Sequence, residues 1–112
     1  MDVVFLDFSE LNLYKGQYEN YSPDELRDEF EKQDFICFVL KKDVLERMTD
    51  RTAESDSLIV VLSGFLVFQK KNSSYQYFIL GPGDAITIPE NTDYDLLGVQ
   101  AEPAEFFCCH RR

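Results

Sequence analysis

Cys108, Cys109 and His110, three consecutive residues near the end of the chain, bring together the side chains best suited to chemistry, and His110 is the single histidine of the 112-residue sequence. An imidazole that takes a thiol proton makes a nucleophile, and both groups also ligate metals. In an extended strand alternate residues share a face, so Cys108 and His110 point one way and Phe107 and Cys109 the other. Residues two apart lie roughly 7 Å from one another along a strand, so no direct Cys–His bond is expected. The expectation is a small core cysteine and a histidine that begins a solvated tail. Cys37 brings the total to three, and an odd count with two adjacent members is a poor disulfide framework.

Tyr75 and Tyr77 form a second candidate, on one face of a strand preceded by Lys70 and Lys71. Aromatic rings beside cations can stack on a ligand, which makes Tyr77 a candidate contact. The same face also serves as a dimer interface in many sheets. The charge balance weighs against a nucleic acid there. The chain carries 21 acids, 11 bases and a net charge of −10. Residues 1–56 hold 15 of the acids and 7 of the bases. Such a field repels phosphate backbones and anionic membranes, so neither is an expected partner. The acidity serves either solubility or docking on a basic protein surface.

These residues need elements to position them. At 45% apolar residues the chain is ordinary for a folded protein, and 112 residues predict a single domain over 1–112. Residues 3–8 read as a strand and 9–21 as a loop. Ser22-Pro23-Asp24-Glu25 predicts a helix start: Ser22 caps, Pro23 suits the first turn, and Glu25 closes a capping box. Leu26 and Phe30 fall one turn apart, and the helix is predicted to end near Gln33. Beyond it the pattern is almost all strands: 35–40, apolar on both faces and expected to be central, then 44–48, 58–62, 65–69, 75–80, 84–88, 94–99 and 105–110. Short strands at close spacing indicate an antiparallel sandwich or barrel. No secretory signal or membrane span is read, so an intracellular, cytoplasmic setting is expected.

Gly81-Pro82-Gly83-Asp84-Ala85-Ile86-Thr87-Ile88-Pro89-Glu90-Asn91-Thr92-Asp93-Tyr94 is the most informative stretch. Glycines flank a proline in a tight turn. Ile86 and Ile88 then share one strand face, Pro89 ends the strand, and Asn91 tolerates a positive φ in the next turn. With Asp56-Ser57-Leu58-Ile59-Val60-Val61-Leu62-Ser63-Gly64-Phe65-Leu66-Val67, it resembles the two sequence motifs of the cupin superfamily. The resemblance covers Val44 to Arg112. It implies a mainly β double-stranded β-helix, or jelly-roll barrel, with residues 1–43 adding an N-terminal strand, a short helix and a first barrel strand.

Many cupins hold a divalent metal through two His and a Glu of the first motif and a His of the second. By the resemblance, the Glu position here is Ser57 and the second-motif His position is Tyr94. The two remaining His positions are Arg51 and Ala53, or Asp50 and Thr52 in a register one longer. None is an expected ligand, so no metal or other cofactor is expected. Arg51, Ser57 and Tyr94 would instead line the barrel. There they either bind a small polar or anionic ligand, with Arg51 as a fork for carboxylate or phosphate and Ser57 and Tyr94 as hydroxyl partners, or simply fill the interior. Two functional classes follow. One is a metal-free binding or protein-interaction module, expected to be a homodimer because cupins commonly pair through edge strands. The other is a metal-independent enzyme of sugar isomerase, epimerase or sugar-acid lyase type, for which Tyr94 lacks an evident histidine partner.

Overall fold

A computed structural model describes residues 6–42, 47–71, 76–98 and 103–112. The elements run β1 (Asn12–Tyr14), α1 (Pro23–Lys32), β2 (Phe35–Lys42), β3 (Arg47–Thr52), β4 (Ser57–Ser63), β5 (Leu66–Lys70), β6 (Gln76–Leu80), β7 (Ala85–Ile88), β8 (Asp93–Gly98) and β9 (Ala104–Arg111). The strands form two antiparallel sheets, ordered β1-β7-β4-β9-β2 and β3-β8-β5-β6. The structure is mainly β, with α1 the one helix among the described residues.

The alternation of side chains explains why the middle strands are apolar on both faces. On β4, Ile59 and Val61 join Leu66, Phe68, Leu80, Ile86, Ile88, Leu96 and Phe106 in the core between the sheets. Leu58 and Val60 point the other way, with Ala85 and Phe107, into a second core roofed by Leu26 and Phe30 of α1. The helix starts as its sequence dictates. Ser22 Oγ accepts from the Glu25 amide at 3.2 Å, and Glu25 Oε1 accepts from the Ser22 amide at 3.1 Å. Such a cap contributes about 1 kcal/mol, and each fully buried Leu or Phe about 2 kcal/mol more.

Three expectations need correction. Residues 9–21 are not all loop: Asn12–Tyr14 pairs with β7, and the Asn12 amide donates to Thr87 Oγ1 at 3.1 Å. A strand read at 3–8 is not found in its described part; Leu6 and Phe8 are irregular chain that packs on the helix-side core. Val3 to Phe5 lie outside the described residues, as do Val44 to Glu46, Asn72 to Tyr75 and Val99. Most consequential, β2 is not central. Among the described residues it pairs only with β9 and closes the edge of its sheet. Its two apolar faces reflect a helix-side core that takes Phe35 and an outer stretch left uncovered. Ile36, Phe38 and Val39 are 40%, 52% and 41% exposed.

The Gly81–Asp84 turn is the principal joint. Gly83 has φ +86, and a Cβ there would sit 2.5 Å from Glu19 Cα, because the Tyr18 amide donates to the Gly83 carbonyl at 2.9 Å. Gly81 answers a different need: a Cβ would meet the Phe65 ring at 2.9 Å. The buried Asp84 carboxylate accepts from the amides of Gly16 (2.6 Å) and Gly81 (2.8 Å) and from Lys15 Nζ (2.8 Å). Burial alone would raise its pKa; the bonds from Lys15, Gly81 and Gly16 outweigh that and hold it below the usual carboxylate range.

Candidate functional site

A cavity of about 590 Å³ opens at one end of the sandwich. It is lined by Arg51 and Thr52 of β3, Glu54 and Ser55 of the following loop, Tyr94 of β8 and His110 of β9. Both sheets therefore contribute. The second turn of the informative stretch fixes the loop. Asn91, at φ 69, donates its amide to the Ala53 carbonyl at 2.7 Å. The Ala53 amide donates to the Thr92 carbonyl at 3.0 Å, and Thr52 Oγ1 bonds Asp93 Oδ1 at 2.6 Å.

Arg51 and Tyr94 are register partners on neighbouring strands, and both line the cavity. The Tyr94 ring is 2% exposed and stacks on Phe68 with centroids 5.1 Å apart. Burial pushes its pKa up, so it is a neutral phenol that donates or accepts a hydrogen bond. Among the described residues no carboxylate forms an ion pair with Arg51.

Ser57 and Tyr77 stand elsewhere. Ser57 is fully buried behind the cavity wall, and its hydroxyl contacts the Ser55 carbonyl at 2.8 Å and His110 Nδ1 at 3.1 Å. Tyr77, 64% exposed, lies on β6, the edge of the four-stranded sheet opposite β3, and does not line the cavity.

His110 corrects the sequence reading twice. It is part of β9, not a solvated tail, and its Nε2 lies 3.6 Å from Cys108 Sγ despite the strand spacing. The imidazole is long enough to fold back along the strand. The network also assigns its tautomer. Ser57 has one hydroxyl hydrogen and donates it to Ser55, so Ser57 Oγ accepts from His110 Nδ1–H, and Nε2 accepts from the Cys108 thiol. Burial lowers the histidine pKa, Arg51 lowers it further, and Glu54 opposes them. Burial raises the Cys108 pKa, with Arg51 opposing. The pair is thus a neutral thiol on a neutral imidazole, without an activated thiolate. The signal for His110 was its shared face with Cys108; what the sequence withheld was that β9 pairs with β4 and sets His110 opposite Ser57.

The donor set does not suit the divalent metal of many cupins. Among the described residues no three His, Cys, Asp or Glu side chains converge, and the cavity carries a guanidinium where a cation would sit. Its chemistry favours a neutral or anionic guest.

No protein-family model matches the chain, and no curated protein matches its sequence. Solved structures do. Oxalate oxidase in complex with glycolate is similar over 69% of this chain and 41% of its own, at 12% identity and a TM-score of 0.61. The cupin domain of Drosophila melanogaster CENP-C is similar over 65% of this chain and 54% of its own, at 16% identity and TM-score 0.59. Drosophila CENP-C bound to CAL1 is similar over 64% and 58%, also at 16% identity and TM-score 0.59. The chain thus spans 41% to 58% of the length of these proteins. Two-sheet topology, the paired turns and these neighbours agree: the chain has a cupin-like fold.

Proposed function

We propose that the chain is a metal-free cupin-like binding module whose end cavity takes a small carboxylate. The observation that carries this is Arg51, lining a cavity of about 590 Å³ with a neutral phenol and a neutral imidazole beside it; Glu54 also lines the cavity, but no carboxylate pairs with Arg51 among the described residues. A guanidinium fork grips a carboxylate through two parallel hydrogen bonds. The likeness to an oxalate oxidase structure holding glycolate, a small hydroxy acid, supports the ligand class. The test is a thermal-shift and calorimetric panel of small mono- and dicarboxylates, with the matching amides as controls. A carboxylate should raise the melting temperature of the wild type and leave Arg51→Ala unmoved. Binding that survives in Arg51→Ala sinks the proposal.

The enzyme alternative is less well served. A sugar isomerase, epimerase or sugar-acid lyase of this shape needs an acid/base pair, and His110 does share the cavity with Tyr94. Both ring nitrogens are engaged, however, one by Ser57 and one by Cys108, which leaves none to take a substrate proton.

A second reading, protein association, rests on the uncovered face of β2. A copy of this chain laid antiparallel along β2 and centred on Phe38 would bring Ile36 opposite Leu40 and cover the exposed Ile36, Phe38 and Val39. The likeness to CENP-C bound to CAL1 supports an interaction role, and the acidic face of α1 suits a basic partner. Sedimentation should show a dimer that Phe38→Glu converts to monomer; a wild-type monomer at high concentration removes this reading.

A further inference from the structure

Three thiols allow three pairings, and the strand geometry leaves one. On β9, Cys108 belongs to the core between the sheets and Cys109 to the core beneath α1, so the neighbouring thiols point apart. Cys37 of β2 packs against that same helix-side core and is the direct register partner of Cys109. Directly opposed residues of antiparallel strands have Cα atoms about 4.5 or 5.5 Å apart, according to the hydrogen-bonding type of the pair. Both spacings fall within the roughly 4.4–6.8 Å that a disulfide spans. All three cysteines are free thiols, and the Cys37 and Cys109 side chains face the same helix-side core from paired positions. Cys108 faces His110 and, across β2, stands opposite Phe38, so no thiol partner is in register with it.

We propose that Cys37 and Cys109 form an intrachain disulfide when the protein meets a small-molecule disulfide, cross-linking the edge strand β2 to β9. The two members are unequal in a way that sets the order of events. Cys37 is half-buried, whereas Cys109 is fully buried. The paired Cys109 thiol lowers the Cys37 pKa, aided by Arg27 and Arg112 against burial and Glu31. The same pairing, with burial, raises that of Cys109. Cys37 is therefore the attacking thiolate. It displaces one thiolate from the small disulfide and forms a mixed disulfide. The Cys109 sulfur then attacks the Cys37 sulfur, its proton passing to the second departing thiolate. Two protein thiols are oxidised to one disulfide, and the small disulfide is reduced to two thiols. The cross-link closes most of the chain into one loop and pins the exposed edge strand.

The experiment uses the full chain, incubated natively with glutathione disulfide, alkylated, and mapped by non-reducing peptide mass spectrometry. A Cys37–Cys109 cross-linked peptide is expected, with Cys108 free. Its formation should raise the melting temperature by about 10 °C or more, reversed by dithiothreitol. Cys37→Ser, a mild change at a half-buried site, should remain unoxidised under native conditions. Cys109→Ser should stop at a mixed disulfide on Cys37. A wild-type product that stops at that mixed disulfide, a cross-link through Cys108, a Cys37–Cys37 link between two chains, or oxidation of Cys109 in Cys37→Ser would each overturn the proposal.

Discussion

Asp84 and Arg51 are each the central charge of a polar cluster at a turn, yet their surroundings differ in kind. Around Asp84, two amides and an ammonium converge on one carboxylate, and the backbone of residues 16–19 closes over Gly83. Around Arg51, the phenol and the imidazole leave an open volume. The first cluster spends its polarity inward, holding the N-terminal segment on the barrel. The second keeps a charged donor facing space. A buried charge with local partners is a structural joint, and a charge beside a cavity is open to the binding role proposed above.

That contrast can be broken by substitution, and the largest effect belongs to the joint. Gly83→Ala forces a Cβ into the Glu19 backbone at a positive φ, so a loss of about 3 kcal/mol or more in denaturant unfolding is expected. Asp84→Ala leaves three donors without their acceptor and should cost about 2 kcal/mol. Because the folded pKa of Asp84 lies below its unfolded value, its contribution is present above about pH 4. It is lost as pH falls through the folded pKa, and the Asp84→Ala variant should lack that part of the acid transition. Ser57→Ala sharpens the boundary between the clusters: it removes the acceptor of His110 Nδ1–H and should cost about 1 kcal/mol. His110 itself has a lowered pKa, so the unfolded chain binds its proton first as pH drops below about 6.5. Stability should decline from there to the folded pKa, a slope that His110→Gln abolishes. Smallest on stability is Arg51→Ala, expected within about 0.5 kcal/mol, since the role proposed for it is toward a ligand. A large loss of stability there would make Arg51 a second joint and erase the contrast.

Much of the frame was legible in the residues. Ser22 to Glu25 announced the helix, because a cap is a local device of four residues. The two turns with their glycines, Pro89 and Asn91 announced the two-sheet fold, because positive φ and close approach admit few side chains. The misread elements are those whose state depends on distant partners. Asn12–Tyr14 is too short to carry a period and is a strand only because β7 offers an open edge. Phe35–Leu40 is apolar enough for a central strand, but its place is set by pairing with β9, whose other side is taken by β4.

For the site, sequence alone determined the types: an arginine, a serine and a tyrosine at the positions where the cupin resemblance implies ligands, and a lone histidine sharing a strand face with Cys108. It also determined the alternation that separates Cys108 from Cys109. Tertiary structure decided which of these meet. Register between strands far apart in the chain set His110 opposite Ser57 and Cys37 opposite Cys109, and it placed Arg51 beside Tyr94. It left Tyr77 on a remote edge. The reason is that alternation along a strand is written locally, residue by residue, whereas register is a property of two strands. It is fixed by the packing of both cores at once.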